Sequence, residues 1–126
     1  MSAWAVRTFL IAALSPLAAA PALAQRTAVQ EVPCEAGPEL LLARDGTVSS
    51  CRLTVVGELL VGPAAGNPNV TCAAGVRVEF HRNGYLAFCD SAAAAAAYMT
   101  RGSRSSRCRV GARLAFDENG FLEYCS

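Results

Sequence analysis

The chain has 126 residues, with 11 arginines, no lysine, 10 acidic residues, six cysteines and a formal net charge of +1. That length excludes a multi-domain enzyme. The balanced charge lacks the basic footprint of a nucleic-acid binder, so no nucleic-acid partner is expected.

Residues 1–24 read as a secretory signal peptide. Arg7 supplies the positive end, residues 8–14 a short apolar core, and Ala22-Leu23-Ala24 a small-x-small cleavage site. The apolar run is broken by Pro16 and Pro21 and falls short of the about 20 apolar residues that a membrane span needs. Cleavage after Ala24 is therefore expected, with an uncleaved anchor as the alternative. After cleavage the protein is not expected to be an integral membrane protein. Its destination is the periplasm or beyond, where disulfides persist. Segment 25–33 (QRTAVQEVP) is read as a flexible N-terminus, and 34–126 as a single domain.

The cysteines fall at 34, 51, 72, 89, 108 and 125, so each successive pair is 17 apart. Segments 34–51, 72–89 and 108–125 align without a gap as C-x-x-G, an apolar-alternating run, Asp/Asn-Gly, a shorter run and C. Such a repeat fixes the architecture before any other signal is used. Asp45-Gly46, Asn83-Gly84 and Asn119-Gly120 are hairpin turn signals. Leu40, Leu42 and Val48 recur as Val78, Phe80, Leu86 and Phe88, and as Leu114, Phe116, Leu122 and Tyr124. They share one face only if residue 80 pairs with 86 and 78 with 88, which requires a type I turn with a glycine bulge. In that register Cys89 lies opposite Arg77, so the chain must bend at Gly75 to bring Cys72 near. The first repeat carries Pro38 and Ser50 and no aromatic residue, as a terminal capping unit would.

The spacers differ. Residues 52–71 alternate Leu53, Val55, Leu59 and Val61, one or two strands followed by a Pro/Gly/Asn loop. Residues 92–100 open with six alanines behind Asp90-Ser91, a possible N-cap, and read as a short helix; a strand matching the first spacer is the alternative. The predicted fold class is mainly β: three disulfide-supported hairpins in one antiparallel sheet or small sandwich.

For the six cysteines, three structural disulfides are expected. Every gap is 16 residues or more, against the close pairs of zinc sites, and no C-x-x-C occurs. Six cysteines allow 15 pairings. The repeat favours Cys34–Cys51, Cys72–Cys89 and Cys108–Cys125; pairing 51–72 and 89–108 across spacers would strand Cys34 and Cys125. No metal or cofactor is expected, and no catalytic residue. The one histidine, His81, is replaced by Ala43 and Asp117 in the other repeats, and no G-x-S-x-G elbow accompanies it. One surface constellation stands out: Arg77, His81 and Tyr85 in repeat two, with Arg113, Asp117 and Phe121 in repeat three. Aromatic rings beside arginine are the usual composition of an interface hot spot; a second buried face is the competing reading.

The F-x-x-N-G-x-L core at Phe80–Leu86 and Phe116–Leu122, matched loosely at Leu42–Val48, resembles MORN-type and antitoxin-like bacterial hairpin repeats. The chain lacks the Tyr-x-Gly opening of the MORN unit, has a longer period and adds cysteines. The resemblance implies scaffolding or contact with a protein or lipid surface, and carries over no functional residue. The sequence thus points to a non-enzymatic secreted or periplasmic binding module whose partner is a protein or cell-envelope component. A small enzyme inhibitor acting through loop 62–71 is the alternative.

Overall fold

The computed structural model describes residues 23–93 and 96–126. The leader expected at 1–24 lies outside them apart from Leu23 and Ala24. Among the described residues, twelve strands alternate between two kinds of hairpin. The first kind is the one flanked by the aligned cysteines: β3 (Leu41–Leu42) with β4 (Val48–Arg52), β7 (Arg77–Phe80) with β8 (Leu86–Asp90), and β11 (Arg113–Phe116) with β12 (Leu122–Cys125). These six strands form one antiparallel sheet in the order β12-β11-β8-β7-β4-β3. The second kind precedes each of them: β1 (Leu23–Arg26) with β2 (Glu31–Cys34), β5 (Gly57–Leu59) with β6 (Val70–Cys72), and β9 (Ala96–Met99) with β10 (Ser105–Cys108).

The mainly β fold and the cysteine pairing agree with the sequence reading: Cys34–Cys51, Cys72–Cys89 and Cys108–Cys125 are bonded. Each bridge joins the last strand of a spacer hairpin to the last strand of the sheet hairpin that follows. It therefore ties two layers together instead of stapling one hairpin. The repeating unit is a pair of hairpins, and the registers make this explicit. Leu23, Gly57 and Ala96 stand opposite Cys34, Cys72 and Cys108 respectively.

Two expectations are corrected here. Segment 25–33 is not a free tail: it supplies part of β1 and all but the last residue of β2, the first copy of the spacer hairpin. Val32 is buried, and the Thr27 hydroxyl closes the turn by accepting from the N–H groups of Val29 and Gln30. Nor do the described residues of 92–100 form a short helix. Ala96–Met99 pairs with β10, and Tyr98 packs edge-on to Phe116 with ring centroids 5.4 Å apart. Ser91 does accept a hydrogen bond from the Ala93 N–H, as an N-cap would, but the chain then enters a strand. Alanine's helix propensity is a weak preference that the tertiary contacts of Tyr98 override.

The hairpin turns are as expected. His81 N–H bonds to Tyr85 C=O and Gly84 N–H to His81 C=O, with the same pattern at 43–47 and 117–121. What the sequence did not signal is a second bulge in each hairpin. Phe80 pairs with Leu86, but Glu79 then pairs with Phe88, so Ala87 is extra; repeats one and three shift likewise. A bulged residue moves everything beyond it by one position and so to the other face. Cys89 consequently falls into the inner row with Leu114, opposite β11, rather than beside Arg77. Phe88 and Tyr124, expected in the core, turn outward. The inner face (Val48, Val78, Phe80, Leu86, Leu114, Phe116, Leu122) shares one core cluster with Val32, Leu59, Val70 and Tyr98 of the spacer hairpins.

Candidate binding face

Within the expected surface constellation, Arg77 and Arg113 lie toward the cysteine end of the sheet. His81, Tyr85 and Phe121 lie at its turn end. Arg77 pairs with Glu79 at 3.0 Å, and Arg113 with Asp90 at 2.9 Å. The Arg113 guanidinium also sits 5.0 Å from the centroid of the Phe88 ring, close enough for a cation–π contact. Phe121 is half-buried beneath Arg101, whose guanidinium is 5.1 Å from its centroid. The His81 Nε2 stands 2.7 Å from the carbonyl oxygen of Phe116. A carbonyl only accepts, so this nitrogen carries the proton and the ring is a link between hairpins.

The sequence reading missed the row that crosses the outer face of all six strands. Leu41, Ser50, Glu79, Phe88, Ala115 and Tyr124 stand opposite one another in succession. Ser50 and Ala115 are small and lie buried between larger neighbours, whereas Leu41 and Tyr124 are exposed. The flanking row brings Arg52 opposite Arg77 and Asp90 opposite Arg113. The outer face thus presents rings framed by arginines, and its main ring, Phe88, was assigned to the core because the Ala87 bulge has no sequence signature.

At the turn end, consecutive units are clipped together by an amide. Gln30 donates to the carbonyls of Leu60 and Gly84 and accepts from Leu60 N–H. Asn67 repeats this one unit later, donating to the carbonyls of Met99 and Gly120 and accepting from Met99 N–H. Loop 62–71, the alternative inhibitory loop, is thereby held at the joint, with Gly62 packed on the backbone of 118–120.

Asp117 organises the third turn. Burial pushes its carboxyl up, but the N–H groups of Phe121 and Asn119 and the Arg101 guanidinium outweigh this and hold it below the ordinary aspartate value. A depressed folded pKa stabilises the fold above the unfolded value of about 3.9, and that stability is lost as pH falls through the folded value. Asp117→Asn, which keeps an acceptor but no charge, is expected to show a smaller acid-side loss of Tm than the parent chain. Thermal melts from about pH 5 downward measure this; identical acid profiles would remove Asp117 from the explanation.

Among the described residues no cluster of three or more His, Cys, Asp or Glu could hold a metal ion, and no helix is long and apolar enough to cross a membrane. Three disulfides fit an oxidising extracellular or periplasmic environment. Compared with known protein families, with curated proteins and with solved structures, the chain matches none.

Proposed function

We propose that the chain is a secreted or periplasmic, non-enzymatic binding module that engages a protein or cell-envelope partner through the outer face of its six-stranded sheet. The observation that carries this reading is the outward Phe88 ring. It is stacked with the Arg113 guanidinium and continued at the sheet edge by the exposed Tyr124. Rings and arginines supply most of the energy at protein interfaces, and Leu41 and Tyr124 at the two ends of the row across this face stand exposed. Export rests on the leader and on the cysteine usage. Cleavage after Ala24 would leave Gln25 and Arg26 of β1 paired with Val32 and Glu31.

Phe88→Ser combined with Tyr85→Ser is expected to leave the disulfides and the circular dichroism spectrum unchanged. Binding to a partner crosslinked in periplasmic extract should weaken by about 2 kcal/mol per true anchor, roughly thirtyfold each. Retained binding would move the interface elsewhere, and an unfolded double variant would make the face core. Mass spectrometry of the exported protein checks the start at Gln25.

A further inference from the structure

We propose that the protein assembles head to tail, the β12 edge of one copy pairing with the β3 edge of the next. Two joints inside the chain set the geometry. In both, the last strand of one sheet hairpin pairs antiparallel with the first strand of the next sheet hairpin. Ser50 and Cys51 stand opposite Glu79 and Val78, and Phe88 and Cys89 opposite Ala115 and Leu114. Carried on once more, this register sets Tyr124 opposite Leu41 and Cys125 opposite Leu40 of a second copy.

The terminal units expose the groups that those joints bury. Leu42 is 52% exposed, whereas its equivalents Phe80 and Phe116 are 8% and 1% exposed. Leu41 at one end and Tyr124 at the other are 48% and 53% exposed. Repeat arrays that stop as monomers present polar faces on their terminal units; this one presents leucines and a tyrosine on unpaired strand edges, which template pairing with another chain. The capping role expected of the first repeat is therefore not what its side chains offer.

The turn end carries an independent sign. A Cβ at Gly84 would lie 2.8 Å from Ala28 N, and one at Gly120 would run into the backbone of Gly62, because each turn is covered by the loop of the preceding unit. The third such turn, at Gly46, has nothing within 4 Å and borders a cavity of about 500 Å³ lined in part by Arg44, Thr47 and Arg82. In a head-to-tail pair the seat at Gly46 takes loop 100–104 of the neighbouring copy, which has no following unit in its own chain to cover. Arg104 of that loop then faces a seat that carries Asp45 beside Arg44 and Arg82. A heterologous contact of this kind grows open chains or rings, not a closed dimer.

The test touches the partner-binding face only at its edge, at Tyr124, and the Leu41→Lys/Leu42→Lys variant leaves Phe88, Tyr85 and Tyr124 intact. The oxidised, exported protein is followed by sedimentation velocity across a concentration series. Leu41→Lys/Leu42→Lys blocks one end and Tyr124→Lys the other; all three positions are exposed, and disulfide mapping confirms folding. The parent chain is expected to pass beyond twice its monomer mass. Each variant alone should stay monomeric, and an equimolar mixture should stop at a dimer, because each variant keeps one good end. A parent chain that stays monomeric throughout, one that stops at a dimer, or variants that assemble like the parent would each overturn the proposal.

Discussion

Reducing the three disulfides is expected to unfold the protein at neutral pH. Each bridge closes a loop of sequence separation 17, worth about 3 kcal/mol in the chain-entropy account. Together they supply about 9 kcal/mol, comparable with the whole net stability of an ordinary domain, about 5–15 kcal/mol. The rest of the scaffold offers little to replace them. One layer consists of three separate two-stranded hairpins, an arrangement with marginal stability in isolation. Cys34, Cys51, Cys72 and Cys89 are fully buried where that layer meets the sheet, so losing the bridges loosens the core at its centre. Far-UV circular dichroism with and without reductant measures the effect. Thiol titration accompanies it, and a spectrum unchanged after full reduction would show that packing alone suffices.

The second large effect separates two costs at chemically equivalent turns. Gly46 and Gly120 have nearly the same backbone, with φ of +86° and +90°. Alanine at Gly46 meets open space, so Gly46→Ala should cost only the left-handed backbone, about 1–2 kcal/mol. Alanine at Gly120 meets that same backbone cost and also the carbonyl of Gly62, which belongs to a loop anchored by Asn67. Overpacking against rigid neighbours adds about 1–3 kcal/mol. Chemical denaturation of both variants, at concentrations where the parent is monomeric, should rank Gly120→Ala clearly below Gly46→Ala. Equal losses would mean that the Gly62–Gly120 contact does not hold the second and third units together.

Much of the sheet was legible because its signals are local. Glycine after Asp or Asn marks each turn, and the three-residue loop follows from which residues must share a face. The equal cysteine spacing gives the pairing. What stayed hidden depends on contacts distant in sequence. Gln30 and Thr27 are polar, so 25–33 read as tail, yet both are buried because their hydrogen-bonding groups are used at the turn and the joint. The alanines of 92–97 favour a helix in isolation, yet Ala96 and Ala97 pair as strand beside Tyr98, which packs on Phe116. The candidate face was half legible. Arg113 was recognised, while Phe88 was lost to a bulge whose extra residue looks like any other alanine.

The bridges and the joints divide the chain differently. Every disulfide lies within one pair of hairpins, whereas Gln30 and Asn67 reach into the next. First cysteines of successive units are 38 and 36 residues apart. A gene duplication or deletion of that length therefore adds or removes cysteines only in matched couples, and never strands a thiol. The number of units can drift over evolutionary time while the oxidation chemistry stays intact, so the array's length is its most easily altered property.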